Sequence, residues 1–277
     1  MAKQYKEKEV ISILQNKIKK GEVLFMPNCG SGLTARMQEE GGADIIMVSA
    51  TSAWRLMGQG SLAALMPYHD LNQTIIDLAP QIMANVTEAP VLAGTAATNP
   101  FLPSKKHLET LWELGFSGIN PFMINIYGQE VMEQMENIGM GWDRELDLVK
   151  TAHEMEMFCL EYAFTPEEAR KIAEVGCPAI SSHVGSTVGG ARGAKTAITL
   201  DDAVRISQEI FDAARDVNPD IILFAHGGPM KGPKEVQYVL DNTNAQGFIG
   251  GSAAERMPIE KAVRAATQEY KALKPKN

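Results

Sequence analysis

The sequence predicts a single-domain α/β fold, a (β/α)8 TIM barrel with an N-terminal capping helix, and three observations predict it. Short apolar runs of strand length alternate with stretches of helical periodicity, the pattern of βαβ units and a parallel sheet. The runs number eight, which is the number that closes such a barrel. The chain has 277 residues, a usual size for one α/β barrel, and no linker, low-complexity tract or charge block divides it. Residues 1–277 therefore read as one domain, with a helix over 1–20 and the barrel over 21–277.

Taken in order, residues 1–20 place Val10, Ile11, Leu14 and Ile18 on one helical face, suited to capping one barrel end. Strands are predicted at 23–26, 45–48, 90–92, 118–120, 157–160, 179–182, 221–225 and 247–250. Unbroken apolar runs such as IIMV and IILFA suit strands covered on both faces. The intervening helices carry start signals. Thr165-Pro166-Glu167-Glu168 supplies a capping hydroxyl, a proline at the first helical position and carboxylates in the first turn. Thr199-Leu200-Asp201-Asp202 does the same ahead of Ala203, Ile206, Ile210, Ala213 and Ala214, which share one face. After Pro258, residues Ile259, Ala262, Val263, Ala266 and Tyr270 form a last apolar stripe.

Composition narrows the function. Lys and Arg total 26 against 34 Asp and Glu, a net charge of −8, with 45% hydrophobic and 22% charged residues. That excludes a disordered or fibrous chain, and without a basic cluster it argues against nucleic acid as a partner. No apolar stretch approaches the roughly 18 residues of a membrane helix, so no membrane partner is expected. The start, MAKQYKEKEV, lacks the apolar core of a secretory signal. Three widely spaced cysteines, Cys29, Cys159 and Cys177, argue against a disulfide framework and for a reducing, cytoplasmic setting. The expected partners are a small anionic substrate and further copies of the chain in a homo-oligomer.

Ligands of such barrels bind at loops leaving the C-terminal strand ends. Here those loops hold Asn28 and Gly30; Ser52; Thr98 and Asn99; Glu161 with Tyr162; His183; Gly227 and Gly228; and Gly250, Gly251 and Ser252. Barrels often hold phosphate with backbone N–H groups of the last two loops, so those four glycines and Ser252 are the candidate anion cradle. The competing reading gives the glycines to tight turns alone. His183 and His226 each follow an apolar strand, where an imidazole can serve as acid or base. His107 and His153 fall within helices and read as packed or solvated. Arg55 and Arg256 are candidate clamps on a carboxylate or phosphate; the competing reading is a salt bridge between helices. Glu161 is the one carboxylate directly following a predicted strand and so the candidate metal ligand. Cys29 lacks a sequence-fixed histidine and reads as a small unreactive side chain. Lysine ends no strand, so no Schiff base and no organic cofactor are expected.

Several segments together resemble the phosphoenolpyruvate hydrolase-like TIM-barrel family, related to the phosphoenolpyruvate mutase/isocitrate lyase superfamily. They are GLTARMQEEGGADIIMVSATSAWRLMGQGSLAALMPYHDLN at 32–72, PVLAGTAATNPF at 90–101, GFSGINPF at 115–122, ENIGMGWDRELDLVKTAH at 136–153, HVGSTVGGARGAKTAITLDDAV at 183–204, NPDIILFAHGGP at 218–229 and GFIGGSAAERMP at 247–258. The resemblance covers nearly the whole chain and implies an enzyme that hydrolyses or lyses phosphoenolpyruvate, a phosphonate or a related 2-oxo acid. In that picture Gly227, Gly228, Gly250, Gly251 and Ser252 hold the phosphoryl group. His226 or His183 moves a proton, Glu161 assists, Asn28 and Thr98 orient the carboxylate, and water is the nucleophile. Three departures stand out. Asn99 replaces an acidic residue common in the family, Glu161-Tyr162 replaces a proline-tyrosine pair, and the superfamily's lysine-glycine-cysteine loop has no counterpart. With so few carboxylates, Mg²⁺ is expected only as an ion brought in with substrate. The alternative to an enzyme is a barrel that binds a small ligand in signal transduction without turnover.

Overall fold

The computed structural model describes residues 2–67, 69–97, 99–122 and 124–276. Eight parallel strands close a barrel in sequence order, β1 (Leu24–Cys29), β2 (Ile46–Ser49), β3 (Val91–Thr95), β4 (Gly118–Pro121), β5 (Phe158–Ala163), β6 (Ala179–His183), β7 (Ile222–His226) and β8 (Gly247–Gly250). The ring closes where Leu24 to Pro27 of β1 pair with Gly247 to Gly250 of β8. The helices, among the described residues, are α1 (Glu7–Lys19), α2 (Gly32–Glu40), α3 (Ala50–Leu56), α4 (Leu71–Met83), α5 (Ser104–Glu113), α6 (Gln129–Asn137), α7 (Asp143–Glu154), α8 (Pro166–Glu174), α9 (Leu200–Val217), α10 (Pro233–Asp241) and α11 (Arg256–Lys271). Short 3-10 turns at Ser61–Leu65 and Ile124–Tyr127 interrupt the loops after β2 and β4.

The predicted start signals act as caps. The hydroxyls of Thr165 and Thr199 accept the backbone N–H of Glu168 and Asp202 at 3.2 and 3.1 Å, satisfying donors that each helix start leaves unpaired. Beneath the barrel, α1 buries Val10 and Leu14 completely against the inner core. Backbone N–H groups of Tyr5 and Glu7 bond Ser117 Oγ and the Glu156 carbonyl, just before β4 and β5. This helix therefore closes the N-terminal end and leaves the opposite end for a site.

Alternation along each strand separates two cores. Leu24, Met26, Met47, Leu92, Phe158, Leu160, Ile222, Phe224 and Ile249 fill the barrel interior. Val48, Val91, Ala93, Ile119, Cys159, Ile180 and Leu223 face the helices. Seven strands run further than predicted, three of them by three residues: β1 to Cys29, β3 to Thr95 and β5 to Ala163. Polar side chains at a barrel mouth resemble a loop in composition, and that is why Asn28 and Glu161 read as lying beyond a strand.

The last stripe departs from expectation. On α11, Val263 and Tyr270 are 61% and 77% exposed, and Leu273 just beyond it 73%. The helix leaves the barrel after its first turn, and its apolar face has no intramolecular partner among the described residues. Among the described residues no helix is long and apolar enough to cross a membrane. All three cysteines are free and buried.

Candidate active site

At the C-terminal mouth lies a cavity of about 380 Å³, within the size range of small-molecule sites. One inward position per strand lines it, and parity selects each: Asn28, Ser49, Gly94, Asn120, Tyr162, His183, His226 and, just past β8, Gly251. Ser49 pairs in register with Gly94, and Gly94 with Asn120. A side chain at Gly94 would meet the Val48 carbonyl at 2.7 Å and the Met47 sulfur at 3.1 Å, so glycine there keeps the lumen open.

Arg55, in the last turn of α3, lines the cavity and is 5% exposed. Its Nη1 donates to Thr51 Oγ1 and Ser61 Oγ, each at 3.1 Å, and its Nη2 donates to Ser52 Oγ. Its Nε has no partner, and among the described residues no carboxylate forms an ion pair with it. Burial lowers its pKa to about 10, with Glu255 opposing the shift. Glu255 accepts at its Oε1 from the Gly30 N–H at 2.8 Å and Thr34 Oγ1 at 2.7 Å, and its Oε2 is buried without a hydrogen-bond partner. A desolvated guanidinium so held is a receptor for an anion.

His183 and His226 are Cα partners in adjacent strands with ring centroids 5.0 Å apart. Tyr162 packs against both, at 5.6 and 5.2 Å between centroids. The Ile249 carbonyl, which can only accept, lies 2.8 Å from His226 Nδ1, so Nδ1 carries the proton and Nε2 is a free acceptor. His183 Nδ1 instead accepts the Gly185 N–H at 3.2 Å, which places its proton on Nε2. Burial holds both imidazoles neutral, His226 at about 4 and His183 well below its ordinary value, the latter helped by its neighbour. The Asn120 amide donates to the Leu160 carbonyl at 2.6 Å, and its Oδ1, like Asn28 Oδ1, is buried without a partner.

Several predicted site residues belong elsewhere. Glu161 points outward from β5, fully buried, its Oε1 accepting the Tyr162 N–H at 2.7 Å. Burial, together with Glu145 on α7, pushes its carboxyl well above the usual range. Tyr162, its neighbour in sequence, faces the cavity in its place. Gly30 does not line the cavity; its close approach to α3 leaves no room for a side chain, which would meet Ala53 N at 2.4 Å. Ser52 supports Arg55 from behind. The backbone of Gly228 donates to the Gly185 carbonyl at 2.7 Å, and a side chain on Gly227 would collide with that same carbonyl. Those two glycines thus bolt the β7 turn to the β6 loop rather than facing the cavity. Gly250 packs under Phe25 and Ala254, leaving Gly251 and Ser252 of the expected cradle on the cavity wall. Arg256 pairs with Glu260 at 2.6 Å within α11 itself, not between helices, and holds the Gly189 carbonyl at 3.1 Å, which takes it away from the cavity. Asn99 caps its own turn, accepting the Phe101 N–H at 2.9 Å, outside the cavity. Thr98 lies outside the described residues. Sequence reasoning assigns no site role to Ser49, Asn120 or Tyr162, although it puts Tyr162 at a strand end, nor to Arg192 of the β6 loop, which also lines the cavity. Period-two counting from the strand centres would have found the first three.

A resident Mg²⁺ is bound through carboxylates as well as waters and substrate oxygens. Neither Asp nor Glu lines the cavity, and among the described residues no three His, Cys, Asp or Glu are grouped to hold a metal. The residues present do not fit a resident Mg²⁺, and no step below passes through one.

The phosphoenolpyruvate hydrolase-like family profile matches residues 9–273, and the chain belongs to that family. It is 38% identical over 266 residues to the ToMV susceptible protein tm-1 of Solanum lycopersicum, covering 95% of this chain and 35% of that protein. It is 29% identical to the putative transcriptional regulatory protein y4pA of Sinorhizobium fredii, covering 96% and 44%. The chain thus spans well under half the length of these relatives. Among solved structures, phosphonopyruvate hydrolase complexed with oxalate and Mg²⁺ aligns with TM-score 0.61 at 13% identity, over 95% of this chain and 87% of that one. A 2,3-dimethylmalate lyase of the phosphoenolpyruvate mutase/isocitrate lyase superfamily gives 0.61 at 12%, over 96% and 87%. Oxaloacetate acetylhydrolase with 3,3-difluorooxalacetate gives 0.62 at 15%, over 96% and 86%. These likenesses share the barrel fold, and the named proteins are hydrolases and a lyase.

Proposed function

We propose that the chain is a hydrolase or lyase of a small carboxylic acid carrying a carbonyl, a 2-oxo acid or close relative such as a phosphonate or phosphoenolpyruvate. The observation that carries this is the buried Arg55, without a carboxylate partner, beside two neutral imidazoles of opposite tautomer. The acid's carboxylate pairs with Arg55. His226 Nε2 takes a proton from a water or substrate hydroxyl, and the His183 Nε2–H donates one to the oxygen or carbon that gains charge. Asn120 Oδ1 and Asn28 Oδ1, acceptors in want of donors, hold that water or hydroxyl. Gly251 and Ser252 line the wall where a second anionic group would sit. With Gly227, Gly228 and Gly250 turned to other work, this favours a carboxylate over a phosphoryl group as the principal anion.

The test is product formation from a panel of 2-oxo acids, phosphonopyruvate and phosphoenolpyruvate, with wild type and His226→Gln compared. Turnover that the substitution removes supports the reading. Thermal stabilisation by an acid without any product would favour the non-catalytic barrel, a reading suggested by the regulatory name of the Sinorhizobium relative. The protein is further read as a cytoplasmic homo-oligomer in which the bare apolar face of α11 meets another copy.

A further inference from the structure

The cavity lining is mixed. Asn28, Tyr162, His183, His226 and Arg55 are among its polar residues, with Arg192 and Ser61 beside them, and its apolar residues include Met47, Leu62, Leu65, Leu71, Phe122 and Ile126. Leu62 and Leu65 sit on the 3-10 turn Ser61–Leu65, and Leu71 begins α4; Phe122 follows β4 directly, and Ile126 lies on the 3-10 turn Ile124–Tyr127. The Tyr127 hydroxyl donates to the Leu65 carbonyl at 2.9 Å, joining the two segments into one apolar wall. Neither segment brings a charged side chain to the cavity.

A substrate end that turns to this wall, and not to Gly251 and Ser252, loses water if it is polar and gains no partner. We infer that the acid bound here carries an apolar arm, an aliphatic chain at the end remote from its carboxylate, seated against Leu62, Leu65, Leu71 and Ile126. This rests on the acid-cleaving reading above and narrows its substrate class. At about 30 Å³ per water-sized group the cavity holds on the order of a dozen such groups. A 2-oxo acid head takes about half of them, which leaves space for an arm of roughly four to six carbons.

The test is a binding series by calorimetry, using straight-chain 2-oxo acids from pyruvate to 2-oxononanoate and the matched neutral 1-alkanamides. Each added methylene should tighten binding about fourfold, from the free energy of burying one methylene, until the arm fills the space and the gain stops. Leu65→Gln should shrink that increment toward one while leaving pyruvate affinity within about twofold. Acids that bind with no gain per methylene would overturn the arm and leave the acid reading standing. Amides that gain per methylene as steeply as the acids, with no preference for the acid, would keep the arm and overturn the carboxylate site. Absence of binding in both series would overturn both. Should Leu65→Gln fail to fold, the wild-type series decides alone.

Discussion

His183 and His226 stand side by side on β6 and β7 with their protons on opposite nitrogens, one Nε2 a donor and the other an acceptor. Two backbone groups impose this, the Gly185 N–H and the Ile249 carbonyl, so the difference is built into the strand ends and does not depend on a ligand. One neutral base and one neutral acid in a single cavity can move two protons in one event without either residue first changing charge.

Replacing either histidine by Gln should lower kcat by roughly two to four orders of magnitude while the melting temperature stays near that of wild type. His226 must be neutral to accept a proton, and with a pKa of about 4 it is neutral across the neutral range. Arg55 must be charged to bind an anion, and it loses its proton at about 10. The kcat/KM profile should therefore be flat between these values, falling below about 4 and above about 10. An acid limb near 6.5 would show an imidazole that burial does not depress, and would overturn this titration of His226.

Arg55→Met should weaken binding of 2-oxo acids by about 30- to 3000-fold, the range for truncating one partner of a buried charge pair. Because the variant also deletes a desolvated charge, its thermal stability in the absence of acid should match or exceed that of wild type. Calorimetry and a melting curve on the same sample separate the two effects. A large loss of stability with little change in affinity would make Arg55 a structural residue.

Mg²⁺ titrated by calorimetry into the ligand-free protein should give little heat, since among the described residues no carboxylate lines the cavity and hard divalent cations rely on such ligands. Tight binding without substrate would show a resident metal site.

Behind β5, burial pushes the Glu145 carboxyl up to about 8, and the same side chain accepts the Ile124 N–H at 3.3 Å. The folded protein then binds more protons here than the unfolded chain between about 4.5 and 8, so this group's contribution falls as pH rises through that window. Glu145→Gln keeps the acceptor and removes the charge. Its melting temperature should exceed that of wild type at pH 8 by about 2–4 °C for each kcal/mol regained and differ little at pH 5. Equal melting temperatures at both values would show that the carboxylate is compensated.

The barrel was legible because eight apolar runs and two threonine caps are local signals that act locally. The cavity positions of His183, His226 and Asn28 were legible for a related reason: rare residue types at strand ends announce themselves by position, whereas Arg55 reaches the cavity from α3. What misled was parity. Reading β5 as ending at Leu160 turned Glu161 into a loop residue, whereas three more strand positions place it outside the barrel and Tyr162 inside. Glycine identity was a second source of error, since Gly227 and Gly228 are demanded by contact with Gly185, a neighbour distant in sequence. Arg55 and Arg256 look alike in the sequence, and only the position of Glu260, four residues on and within 2.6 Å, separates them.

The bare helix α11 has a consequence for handling the protein. If a second copy covers Val263 and Tyr270, folding is coupled to association, and the melting temperature should climb with protein concentration by mass action. Dilution would then loosen more than the contact itself. The first turn of α11 carries Arg256 and Glu260, which hold the Gly189 carbonyl and the Ala191 N–H of the β6 loop, and that loop roofs the cavity with Ser186, Thr187 and Arg192. Specific activity should accordingly fall on dilution and recover on concentration, and Val263→Asp should shift that midpoint to higher concentration, as sedimentation and initial rates on one dilution series would show.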